Sequence, residues 1–298
     1  MRRMALIFLL ANLGAANPSP QANGDQLVAM VIHRPTSPRV GEIWPLGRWH
    51  HGKMEDISHS WTEDENERSA WKKLPLDAFP LKGLMPFTLY ANGCKTETIQ
   101  PNRVIDWDCG LGTGLTVAEG PWPQDIHAAP NDEQEWVALS HPTPDLGRVA
   151  PLSSEDASSL TKALPAIAKG EMRRKWSGQI IRKLIRLDQT FFPLDRSGAR
   201  GVFARFEFEG TDGASIVGSL ILDVSQPKTP KLLRAEMGDT ASETEVMDSR
   251  LVGAFDLDGN GSAALLEETG YYEDTGYAIL VREGDHYTEV YRGSTYGE

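Results

Sequence analysis

Phe255-Asp256-Leu257-Asp258-Gly259-Asn260-Gly261-Ser262 is the stretch from which the rest of the chain can be read. Asp256, Asp258 and Asn260 are spaced two apart, so three short oxygen-bearing side chains can turn toward one point. Gly261, sixth in the run, allows the sharp positive-φ bend that wraps a chain round a cation. Ser262 can add a backbone carbonyl. Glu267 is twelfth counting from Asp256, which completes the pattern D-x-[DN]-x-[DN]-G-x5-E. Hard oxygen ligands in a flexible loop suit Ca2+ better than a transition metal. The expected metal set is therefore Asp256, Asp258, Asn260, Ser262 and Glu267, with Ca2+ as the cofactor. Asp, Asn and Gly are also the commonest turn residues, and a solvated tight turn is the alternative.

The flanks place this loop between strands. Downstream lie the turn residues Gly270 to Gly276, then Tyr277-Ala278-Ile279-Leu280-Val281-Arg282, which alternates like a strand. The eighth position, usually β-branched and apolar in an EF-hand, is Ala263. The run also has an echo 63 residues earlier, where Leu194-Asp195-Arg196-Ser197-Gly198 aligns with Leu257-Asp258-Gly259-Asn260-Gly261. Each copy has a lead strand, at 179–187 and 249–255. Three more follow in each: 202–208, 215–224 and 231–236, then 264–272, 277–282 and 286–291. Four strands is the content of one β-propeller blade.

On these residues, roughly 180–292 resembles the FG-GAP (VCBS-like) blades of integrin-α-type propellers, in which a D-L-D-G-[DN]-G loop joins two strands. The resemblance implies calcium in the second copy. The first copy keeps only Asp195 and Gly198, and the acidic residue usual at the ninth position is Ala264 here. Two blades cannot close a ring of at least four. Either the N-terminal region supplies further sheets, or the two blades stack as a two-sheet domain.

The N-terminus reads as a targeting signal. Arg2 and Arg3, the apolar run 4–11 and the small residues Gly14-Ala15-Ala16 make a signal peptide over 1–16. The run is well short of the roughly 20 residues of a membrane-spanning helix. Export is expected, to the periplasm or beyond, with no membrane span. Residues 17–25 read as a flexible mature N-terminus. Losing Arg2 and Arg3 and no acid takes the formal net charge from −12 to −14. Such a chain disfavours nucleic acid as a partner. The one basic cluster, Lys169, Arg173, Arg174, Lys175, Arg182, Lys183 and Arg186, reads as a solvated face.

Residues 26–147 are expected to form a β-rich domain. Its strands fall at 27–34, 87–91, 96–100, 103–107, 115–118 and 135–140, with a hairpin turn at His50-His51-Gly52-Lys53. A helix over 62–74 is capped by Thr62. Residues 148–170 are a linker and a helix opened by a capping box, Ser153 to Asp156, and running to about 168. Residues 171–298 form the C-terminal β domain. The expected class is thus mainly β (α+β): antiparallel four-stranded, blade-like meanders in the C-terminal half, and a β-rich N-terminal domain with one or two short helices.

Seven of the eight tryptophans lie before residue 140. They can fill a core or stack on a ligand. Cys94 and Cys109, the only cysteines, can face each other across a hairpin turning at Pro101-Asn102, as a disulfide in an exported chain or as free thiols.

No G-x-S-x-G elbow and no Walker A motif is present. Acidic pairs such as Asp106/Asp108 and Glu267/Glu268 are what any acidic chain offers. No catalytic residue is assigned. Two function classes remain. One is a non-catalytic, exported binding module for an unknown protein or glycan ligand, with calcium in the loop. The alternative is an exported glycan or peptide hydrolase using carboxylates that the sequence does not single out.

Overall fold

The computed structural model describes residues 26–56, 85–108, 114–123, 134–176, 183–210, 215–240, 248–270 and 274–297. The helix expected over 62–74 and the signal peptide lie outside them. Among the described residues the fold is strand-dominated, with one helix, and is mainly β as expected.

The N-terminal sheet contains β1 (Gln26–His33), β2 (Val40–His50), β3 (Lys53–Asp56), β4 (Phe87–Ala91), β5 (Cys94–Ile99), β6 (Arg103–Asp108), β7 (Gly114–Pro121) and β8 (Gln134–Leu139). It is antiparallel, in the order β5-β4-β8-β1-β2-β7-β6. β3 and β7 share one edge of the long β2, β7 along Val40–Ile43 and β3 along Gly47–His50. The expected turn at His51-Gly52 joins β2 to β3, and both residues have positive φ.

β1 is apolar from Leu27 to Ile32 because both its faces are covered. Leu27, Ala29 and Val31 join Ile43, Phe87, Leu89, Ile99 and Trp122 in a cluster on one side. The sheet curls round that cluster. β5 and β6 stand at opposite ends of the strand order, yet only residues 100–102 join them. The Asn102 amide donates to the Glu119 carbonyl of β7 at 2.8 Å, fixing this connection at the β6 end. This corrects one expectation: β5 pairs with β4 and β6 with β7, so no hairpin forms about Pro101-Asn102.

α1 (Ser154–Lys175) follows an irregular stretch. The Ser153 hydroxyl accepts the Asp156 amide at 3.1 Å, as the capping pattern predicts. Glu155 and Asp156 in the first turn and Arg173 to Lys175 in the last oppose the helix dipole, which carries the helix seven residues past the expected end. Leu160, Leu164, Ala168 and Met172 form its buried stripe.

Two four-stranded meanders come next: β9 (Leu184–Pro193), β10 (Arg200–Glu209), β11 (Ser215–Asp223) and β12 (Lys231–Asp239), then β13 (Asp248–Asp256), β14 (Ala263–Gly270), β15 (Asp274–Glu283) and β16 (His286–Gly297). The three sheets and the helix are layered. The α1 stripe covers Val202, Ala204, Phe206 and Phe208 of β10, with Leu220 and Leu222 of β11. The opposite face of that meander, with Phe192, Phe203 and Ile221, meets Ala254, Leu265, Ala278 and Leu280 of the second. The other face of the second meander, with Phe255, Leu266, Tyr277 and Ile279, meets Val28, Met30, Trp44 and Leu46 of the N-terminal sheet. The two repeats therefore stack face to face, with α1 covering one outer face and the N-terminal sheet the other.

Candidate functional site

Both repeat loops turn at the same place, between the first and second strands of their meanders. Gly198 and Gly261 both sit at φ 88, where a side chain would be strained. In the first loop Asp195 Oδ1 accepts the Ser197 amide at 2.8 Å; in the second, Asp258 Oδ1 accepts the Asn260 amide at 3.2 Å. These are the same Asx turn at the same register.

The loops touch one another. The Arg196 amide donates to the Gly261 carbonyl at 3.1 Å, and the Ala263 amide donates to the Leu194 carbonyl at 3.0 Å. The Arg196 side chain then crosses into the second loop. Its Nη2 donates to Asp256 Oδ2 and, at 3.1 Å, to the Gly259 carbonyl. Asp256 is fully buried and also accepts the Gly259 amide at 2.9 Å and the Gly261 amide at 3.0 Å. Burial pushes its carboxyl up from the usual range, against the pull of the Gly261 amide and the Arg196 guanidinium. Asp195 differs: burial pushes its carboxyl up too, but Ser197 and Arg282 outweigh that and hold it below the usual range.

The five residues of the expected metal set do not share one place. Asp256, Asp258, Asn260 and Ser262 are together in the loop. Asp258 and Asn260 bond each other, Asn260 Nδ2 donating to Asp258 Oδ2 at 3.1 Å, and Asn260 Oδ1 accepts the Ser262 amide at 2.7 Å. Glu267 is not with them. After Ser262 the chain continues as a strand, so five residues carry Glu267 roughly 17 Å onward. It is buried between the two meanders, where Ser219 of β11 donates to its Oε1 at 3.1 Å. Its Oε2 has no hydrogen-bond partner. Burial pushes its carboxyl up to about 7, Glu236 adds to the rise, and Arg234, Ser219 and Arg292 oppose it. Beside it Arg234 and Arg292 each bridge Glu236 and Glu289, at 2.6 to 3.1 Å. Among the described residues no group of three or more His, Cys, Asp or Glu side chains is arranged to hold a metal ion.

A cleft of about 240 Å3 lies on the solvent side of the loop. Asp258, Asn260 and Ser262 form one wall, Arg282 and Glu283 of β15 another, and Trp49 with Gly52 of the β2–β3 hairpin the third. Among the described residues, the Trp49 indole N–H and the Ser262 hydroxyl have no acceptor. Arg282 is positioned by Asp195 Oδ2 at 3.4 Å. Of the other tryptophans, Trp44 and Trp122 are buried; Trp122 stands between His33 and Trp136, with centroids 4.4 and 5.9 Å away. Those are core residues. Sequence reasoning missed Arg196 and Trp49 as parts of this site. The only trace of Arg196 was an arginine opposite Gly259 in the repeat alignment, and nothing in spacing links Trp49 to a loop two hundred residues away.

Cys94 opens β5, half-buried and free; Cys109 lies outside the described residues. No described helix is long and apolar enough to cross a membrane. The basic cluster is largely used locally: Lys169 lies over the Phe208 ring at 5.5 Å and Lys175 over Trp176 at 4.5 Å. The fold thus defines a mainly β protein of two stacked meanders beside a curled N-terminal sheet. Compared with known proteins, the chain matches no family model, no curated protein and no solved structure.

Proposed function

We propose that this chain is an exported, non-catalytic binding module whose ligand is a glycan held in the cleft beside the second repeat loop. One observation carries the reading: Trp49 and the loop side chains Asp258, Asn260 and Ser262 face one cleft. An aromatic wall suits the apolar face of a sugar ring, and planar polar groups on the adjoining walls suit its hydroxyls. Among the described residues, the two carboxylates whose protons are held more tightly than usual, Asp256 and Glu267, are both fully buried. Neither can meet a substrate, which favours binding over the alternative hydrolase.

In this reading the cation of the loop is the Arg196 guanidinium. It takes the Asp256 carboxylate, the first ligand a calcium ion would need, together with the Gly259 carbonyl, and it ties the two repeats together. Calcium is the competing occupant.

The test is a panel of immobilised glycans probed with the mature chain, followed by titration of any hit against Trp49→Ala. Binding that falls roughly three- to tenfold in the variant supports the cleft. No bound glycan, or binding indifferent to Trp49, would overturn it. Hydrolysis of a bound glycan would favour the enzyme instead.

A further inference from the structure

A second cavity lies away from the loop cleft, at the junction of the N-terminal sheet, the stretch before α1 and the first meander. It is a groove of about 400 Å3 between the β4–β5 hairpin, residues 148–152 and Phe191 of β9. That is the size of a small-molecule site, and such sites favour junctions between structural units. Val149, Pro151, Leu152 and Phe191 give it an apolar floor, while Lys95 and Arg148 supply two cations, and among the described residues no acidic one lines it.

Both cations are exposed. The chain carries a formal charge of −12, and several of its other arginines are matched to acids: Arg34 to Glu42, Arg196 to Asp256, Arg205 to Asp248. Among the described residues, the side chains of Lys95 and Arg148 have no ion pair or hydrogen bond. Asp145, the acid beside them in the chain, spends one carboxylate oxygen on the Lys95 backbone amide at 2.7 Å.

The groove is also preformed. At the hairpin tip the Gly93 amide donates to the Ala254 carbonyl at 2.8 Å, and the Gly93 carbonyl accepts the Leu146 amide at 2.8 Å. Gly93 has φ 83, and a Cβ there would stand 2.4 Å from Pro193 Cγ. The hairpin is thus clamped between the linker and the start of the first repeat loop. A ligand entering the groove need not order that wall.

We propose that this groove binds a small amphiphilic carboxylate, with its head between Lys95 and Arg148 and its hydrocarbon body against Val149, Pro151, Leu152 and Phe191. A guanidinium matches a carboxylate with two parallel hydrogen bonds, and the ammonium adds a point charge. The apolar walls reject a bare inorganic anion, and the cations reject a neutral hydrocarbon.

The test is calorimetric titration of the mature chain with octanoate, beside octanol and an acidic peptide of similar size. Octanoate should bind one to one, with a Kd on the order of 0.1 mM for a ligand of ten heavy atoms. Octanol should bind at least about tenfold more weakly, the loss expected for one charge-assisted hydrogen bond. Arg148→Glu and Lys95→Glu, both at exposed positions, should keep the wild-type melting temperature and lose octanoate binding. Leu152→Asp should lose it too. Absence of octanoate binding, equal binding of octanol, unchanged binding in the charge-reversed variants, or binding of the peptide alone would each overturn the proposal.

Discussion

The two repeats have the same strand order, the same loop position and the same glycine torsion, and opposite roles. Where the second repeat has Asp256 the first has Pro193, and where the second has Gly259 the first has Arg196. A prolyl ring offers no oxygen to a cation. The first loop lacks the residue that would gather charge and carries one that supplies it. The second has kept the anionic pocket and receives the arginine. The backbones of the two loops agree, and two differing positions make one a plug and the other its socket. The layers diverged in step. The first meander is covered by a helix on its outer side, whereas the second lies between two sheets, and its β14 reads Ala263-Ala264-Leu265-Leu266 because both faces are buried.

The largest effects should come from the middle layer. Leu266→Ala opens a cavity between the second meander and the N-terminal sheet, and should cost about 2 to 5 kcal/mol in urea unfolding. Leu152→Ala, half-buried at the outer layer, should cost under about 1.5 kcal/mol. Equal losses would mean that the middle layer is not the shared core of the stack. The plug and socket comes next. Asp256→Ala strands the Gly259 and Gly261 amides as well as Arg196, and should cost about 3 kcal/mol. Asp258→Ala removes only exposed turn bonds and should cost under about 1 kcal/mol. Arg196→Ala should resemble Asp256→Ala, and a double-mutant cycle between them should show a coupling of at least about 1 kcal/mol. Additive losses would reduce the pair to a surface contact.

Much of this architecture is legible in the sequence. Alternation in 202–208 and the turn residues between segments locate the meander strands, because each strand buries one face against a different neighbour. Ser153 announces α1, since a hydroxyl three residues before Asp156 satisfies an otherwise orphaned amide. The class and the loop follow from local patterns of this kind. The curl of the N-terminal sheet does not, because it depends on which strands pair across the chain. Pro101-Asn102 is a good turn, but it joins two sheet ends. Glu267 shows the same limit. A twelve-residue count places a ligand correctly only when the chain turns back as a helix, and here it leaves as a strand.

Glu267 yields the next prediction. Its carboxyl is raised to about 7 in the folded protein and returns to about 4.5 on unfolding. Between those values the folded state holds the extra proton, so stability should fall as pH rises from about 4.5 to 7 and then level off. The loss should be on the order of 3 kcal/mol. Glu267→Gln keeps the acceptor for Ser219 and cannot ionise, so melting curves of the variant should lose that slope and match or exceed wild type above pH 7. A slope that survives the substitution would assign it to the Glu236, Glu289, Arg234 and Arg292 cluster instead.

Calcium gives the smallest effect and the sharpest division between the two readings of the loop. A site with a Kd near 10⁻⁴ M would gain roughly 1.4 kcal/mol from about 1 mM calcium, or roughly 3 to 6 °C in melting temperature. With Arg196 on Asp256 and the Gly259 carbonyl, the wild-type protein should melt at the same temperature in EDTA and in calcium. The ion would have to displace a guanidinium tethered by its own backbone, whose effective concentration no free ligand matches. In Arg196→Ala the same oxygens are released, and calcium should restore part of the lost stability through Asp256, Asp258 and Asn260. A wild-type shift that disappears in Asp258→Ala would show that the ion and the arginine share the loop, and that the socket remains a metal site despite the plug.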